Sequence, residues 1–159
     1  MLRARQALKE FRAAVAREFA FLATDFGFAE ERVRRPGNEF SVWFVNATTR
    51  VIVEGIHWGG SARVAFGSAG ARERFENFDL LDLVSIRRPD RMPTADASLT
   101  GQLHQLEALA VLLRDCGAEV LRGDFSIAPQ ILEIRKRRVD EWERREAERG
   151  RPRPPRPAD

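Results

Sequence analysis

"SVWFVNATTRVIVEGIHWGG", residues 41–60, decides the fold. Two runs rich in β-branched and aromatic residues flank Asn46, Ala47 and Thr48, and the second run closes on the pair Gly59-Gly60, where positive φ costs little. The pattern predicts consecutive antiparallel strands over 39–46, 49–58 and 61–67. A weaker strand over 28–34 precedes a turn built from Pro36, Gly37 and Asn38. Two-residue turns at Ala47-Thr48 and Gly59-Gly60 set Phe44 opposite Val51, Val42 opposite Val53 and Val53 opposite Phe66, with Gly55 between Phe40 and Val64.

That register sorts the side chains into two faces. Phe40, Val42, Phe44, Val51, Val53, Val64 and Phe66 share one that carries no charge, the expected core face, for which the first helix is the natural cover. Ser41, Trp43, Val45, Arg50, Ile52, Glu54, Ile56 and Arg63 share the other, where large apolar groups alternate with charges. Sliding a strand by one residue would exchange the faces and bury the charges, so the pleat itself specifies the register.

Helical periodicity brackets the sheet. Leu8, Phe11, Val15, Phe19 and Leu22 recur at spacings of three and four, predicting a helix over 3–24 that stops near Gly27. Asp79 caps a short helix over 80–87 that Pro89 ends, and residues 89–98 read as a loop. Leu99, Leu103, Leu106, Leu109, Ala110 and Leu113 stripe a helix over 99–122, with Gly123 as its stop. Ser126 caps a last helix over 127–148, with Pro129 in its first turn. Beyond Ile127, Ile131, Leu132 and Ile134 that helix is nearly all charged, with Val139 and Trp142 its only large apolar residues. The stretch "RPRPPRPAD", residues 151–159, offers no ladder donors at its prolines and no core, so 150–159 reads as a disordered or extended tail. The expectation is one α+β domain over 1–149: an antiparallel meander of three or four strands with N- and C-terminal helices packed on one face.

Composition narrows the function classes. The chain of 159 residues is 43% hydrophobic and 32% charged, enough for one core. No apolar run approaches the length of a membrane span, and the N-terminal stretch is charged throughout, which together with the single Cys116 points to a cytoplasmic protein without disulfides. The net charge of +3 is small, because 27 basic residues face 24 acidic ones. From Ile127 onward there are 10 basic and 7 acidic residues, a local surplus of 3. Arg135, Lys136, Arg137 and Arg138 are therefore the candidate nucleic-acid footprint, with Trp43 and Trp58 as candidate stacking platforms.

Catalytic and metal signatures are sparse. His57 and His104 are the only histidines, and neither has further ligands at workable spacing. His57 falls at the core-face rim of the third strand, beside which a small-ligand or enzyme pocket is the remaining reading of that kind. Glu73, Glu76, Asp79 and Asp82 recur every three residues but cross a helix start, where acidic groups complement the positive dipole end. There is no phosphate loop and no nucleophile elbow, so no catalytic residue, metal or cofactor is assigned.

Three stretches, "FLATDFGF" (21–28), "EFSVWFVNATTRVIVEGIHW" (39–58) and "FENFDLLDLVSIRRP" (75–89), in an order of helix, meander and helices, give the chain a family likeness. It resembles small uncharacterised bacterial proteins of the immunity type, which are encoded beside toxins and neutralise them by binding. The likeness covers about half of the chain and contains no catalytic signature, so it implies a binding module and assigns no residue a role. The expected protein-binding surface is the second sheet face: Trp43, Val45, Arg50, Ile52, Glu54, Ile56 and Arg63, meeting a protein partner or a second copy. The alternative cover for that stripe is the C-terminal helix folding back through Val139 and Trp142.

Overall fold

The computed structural model describes residues 2–32, 40–70, 77–94 and 101–149. Within them the order is α1 (Leu2–Glu18), α2 (Ala20–Phe26), β1 (Ala29–Glu31), β2 (Ser41–Val45), β3 (Thr49–Ile56), β4 (Ser61–Ser68), β5 (Phe78–Asp79), α3 (Leu80–Arg87), α4 (Gln102–Cys116), α5 (Ala118–Leu121) and α6 (Ala128–Arg149). The strands form one antiparallel five-stranded meander in the order β1-β2-β3-β4-β5. The fold is α+β as expected, with a fifth strand added by the two residues Phe78 and Asp79 on the far edge.

The β2–β3 register is the expected one, Val42 opposite Val53 and Phe44 opposite Val51. Its turn is organised by Asn46, whose Oδ1 accepts the backbone N–H groups of Thr48 (3.0 Å) and Thr49 (2.8 Å). The Nδ2 of the same side chain donates to the carbonyls of Phe26 and Leu121, both at 3.1 Å, tying the turn to the ends of α2 and α5. Thr49 is fully buried and donates its hydroxyl to the Val120 carbonyl at 2.8 Å.

The β3–β4 register corrects the sequence reading. Val53 lies opposite Val64 and Val51 opposite Phe66, two residues away from the expected pairing. The cause is the connection: His57–Gly59 form a 3-10 turn, Gly60 donates to the His57 carbonyl at 3.0 Å, and the strands pair only from Ile56 and Ser61 outward. His57, at φ 53°, and Gly59, at φ 86°, supply the left-handed positions that a Gly-Gly pair alone was expected to provide. A slip of two keeps every side chain on its face, so the sorting into two faces stands.

The uncharged face is the core. Val42, Val51, Val53, Val64 and Phe66 join Phe11, Val15, Phe19 and Leu22 of the N-terminal helices and Leu106, Leu109 and Leu113 of α4 in one cluster. The cover is shared: α4 lies across β4, α1 packs beside it on α4, and α3 bridges α4 and β4. Phe11 meets Phe40 edge-on at 5.6 Å. Gly55, opposite Ala62 rather than Val64, donates its N–H to the Phe40 carbonyl at 2.8 Å.

The helices start and stop for local reasons. The first one breaks at Phe19 into α1 and α2, and Gly27 ends α2 at φ 69°. Asp79 caps α3 as expected, accepting the Leu81 N–H at 2.9 Å. The expected helix over 99–122 is shorter, α4 giving way at Gly117 to the single turn α5. Leu103 is exposed on it, while Cys116 is buried, which pushes its thiol pKa above the ordinary value. The last helix starts at Ala128, one residue later than expected, and the N–H of Ser126 donates to Asp124 at 2.9 Å. The expectations for residues 33–39, Glu73, Glu76, Leu99 and the 150–159 tail lie outside the described residues, as does the Trp58 side chain.

At the start of α3, Asp82 is 2% exposed and takes its charge partner, Arg138, from α6. Arg135 donates to the Asn77 carbonyl at 2.8 Å, and Ile131 is buried beside them, so the first half of α6 docks on α3. Removing Arg138 leaves a buried carboxylate without its ion-pair partner, near the N-terminal end of α3. Arg138→Ala is expected to cost about 1–2 kcal/mol, discounted because the arginine is itself largely solvated. The denaturant midpoint should fall at an unchanged slope, and an unchanged midpoint would show that Asp82 is satisfied without α6.

Candidate functional site

The outer sheet face is built as a row that crosses all five strands. Glu31, Trp43, Ile52, Ala65 and Asp79 are successive cross-strand partners, acidic at both edges and apolar between. Each edge carboxylate holds an arginine from an inner strand. Arg50 Nε donates to Glu31 at 3.1 Å, and Arg63 Nε donates to Asp79 at 2.8 Å. The Arg50 guanidinium lies 5.5 Å from the centre of the Trp43 ring, a cation–π contact, and Trp43 Nε1 donates to Ser41 at 2.7 Å. Arg63 also approaches Glu54 at 3.9 Å.

The charges that punctuate this face therefore form a layer of paired groups laid over apolar ones. Ile52, at 3% exposed, and Glu54, at 5%, are buried, whereas Trp43, Val45, Arg50, Ile56 and Arg63 are half-buried and form the accessible surface. Val139 and Trp142 do not cover it: both are exposed on α6, which packs on α3. Sequence reasoning placed the seven residues on one face but missed Glu31 and Asp79, the groups that fix the arginines. A carboxylate on each short flanking strand was the available signal.

The other candidates are scattered. Of the four candidate nucleic-acid residues on α6, Arg135 and Arg138 bind the domain, and Arg137 pairs with Glu133 at 3.1 Å along its own helix. His57 is exposed in its turn, off the core face. The cleft next to that turn, of about 630 Å³, is lined by Arg17, Glu18, Gly59, Gln102, His104 and Glu107 without His57. A second crevice, of about 350 Å³ between α3, α4 and the end of β3, is lined mainly by apolar groups such as Ile56, Leu81, Leu109 and Leu112. Among the described residues no three His, Cys, Asp or Glu side chains are grouped to hold a metal ion, and no helix is long and apolar enough to cross a membrane.

No family model, curated protein or solved structure matches this chain. Its functional reading rests on the outer face alone.

Proposed function

We propose that the protein is a non-catalytic binding module, regulatory or toxin-neutralising, that engages a protein partner through the outer sheet face. The observation that supports this reading is Trp43: a half-exposed indole on the outer sheet face, fixed by its Nε1–H bond to Ser41 and by the Arg50 guanidinium over its ring. Tryptophan and arginine are the residue types that dominate binding energy at protein interfaces, and a pre-fixed aromatic–guanidinium stack loses little side-chain entropy on docking. Because Arg50 and Arg63 already hold carboxylates, a partner meets a surface whose charges are balanced.

The test is a photo-crosslinking amino acid at Val45, introduced into the full chain and activated in cells. A specific protein adduct is expected, and Trp43→Ala should reduce its yield at least about tenfold, as for an interface hot spot. The thermal midpoint of Trp43→Ala should stay within about 3 °C of the parent, since a half-exposed ring adds little to the core. Adducts that persist undiminished in Trp43→Ala, or no protein adduct at all, would remove the outer face as the binding surface.

A further inference from the structure

Because β5 is so short, part of β4 has no strand beside it among the described residues. β3 runs along β4 from Ser61 to Ser68, whereas β5 reaches it only at Ala65 and Phe66. After Asp79 the chain turns into α3, and α4 crosses β4. Gln105 of α4 reaches the stretch that β5 leaves bare, its Oε1 accepting the Ala62 N–H at 2.8 Å. The crevice of about 350 Å³ lies in the wedge between the joined ends of β3 and β4, α3 and α4.

Its wall is uncharged. Leu109 and Leu112 are buried core residues, and Ile56, Ala62 and Leu81 line the crevice half-buried. The polar groups are the Ser61 and Thr94 hydroxyls and the Gln105 amide, whose oxygen already accepts from Ala62. Among the described residues, no charged side chain lines it, whereas the larger cleft by Gly59 carries Arg17, Glu18 and Glu107. Pro93, Thr94 and Ala108 line the crevice and are exposed, so a ligand can enter without any helix moving.

These features select the ligand. A charged molecule would lose its hydration and meet no opposite charge, so the occupant is neutral. A bound water needs roughly two to four polar partners, and most of this wall supplies none, so displacing water by an apolar group gains affinity. The volume falls in the range of small-molecule sites. A dry cavity of ~150 Å³ accommodates benzene, so a crevice about twice as large takes about two fused rings.

We propose that this crevice binds a small neutral molecule with an apolar body of about two fused rings and one hydroxyl or carbonyl group directed to Ser61 or Thr94. Of the outer-face residues only Ile56 lines it, so the site stands independently of the partner reading.

The probes are naphthol and its charged counterpart naphthoate, each titrated into the full chain near neutral pH. The methyl resonances of Ile56, Leu81, Leu109 and Leu112 report on the site. Naphthol should shift them saturably with a Kd below about 1 mM, and naphthoate should bind at least about tenfold more weakly. Ala108→Trp plugs the crevice from an exposed helical position and should abolish the naphthol shifts, while the melting temperature stays within about 3 °C of the parent. Ala108→Phe gives the same readout with a smaller plug should the tryptophan variant melt early. Trp43→Ala should leave the titration unchanged. Binding that survives both Ala108 variants, or that disappears in Trp43→Ala, puts the probe elsewhere and refutes the site. Equal affinity for naphthoate refutes the selection of a neutral ligand, and the absence of a saturable shift up to the solubility limit refutes the proposal outright.

Discussion

Val53→Asp is expected to abolish cooperative folding. Val53 is fully buried on the central strand, between Val42 and Val64, with helices covering the face to which it points. A carboxylate there has no basic partner within the apolar cluster, so it either stays ionised at a large desolvation cost or binds a proton and loses its hydration. Either cost, added to the lost valine packing, exceeds about 4 kcal/mol, a large part of the stability of a domain this size. The chain should accumulate as aggregate or show no thermal transition. A soluble variant that melts cooperatively would mean that Val53 does not face the core.

The second large effect is expected at Gly55. A Cβ on this residue would stand 1.9 Å from Gln102 Oε1 and 2.8 Å from Phe40 Cβ. The buried amide of Gln102 fills the space that a side chain would need. Gly55→Val should therefore cost about 3 kcal/mol through overpacking, read as a fall in melting temperature of about 6–12 °C. Gln102 is the flexible neighbour and Phe40 is packed against the core cluster, so Gln102→Ala in the Gly55→Val background should recover part of the loss. Additive losses in the double variant would place the strain at Phe40 alone.

Much of this arrangement was legible in the sequence, for identifiable reasons. The β2–β3 turn was readable because Asn46 and the two threonines have few ways to close so short a loop, and the alternation of Val42, Phe44, Val51 and Val53 admits one register. The β3–β4 turn was not, because Gly59-Gly60 signals a two-residue hairpin and nothing local announces that His57 will adopt a positive φ. Gly117 interrupts the long helical stripe where the pattern continues through Val120 and Leu121, so periodicity alone ran across the break. The burial of Ile52 and Glu54 depends on side chains from several strands at once: Trp43, Arg50 and Arg63, held by Glu31 and Asp79. Strands of three and two residues leave almost no trace in a sequence pattern, and they carry those two carboxylates.

The brevity of those flanking strands has a consequence for how the protein behaves when crowded. The long strand β3, eight residues, is interior to the sheet, whereas β5 pairs with the far side of β4 only at Ala65 and Phe66, and β1 pairs with β2 only from Trp43 to Val45. Charged side chains mark both margins: Glu30 and Glu31, paired with Arg12 and Arg50, along one, and Asp79, paired with Arg63, on the other. Among the described residues, then, the sheet offers a foreign strand only short stretches of edge, and on β4 the Ala62 N–H is already taken by Gln105 of α4 at 2.8 Å, so a strand adding there would have to displace a helix side chain, one of the ways β-proteins limit fibril growth.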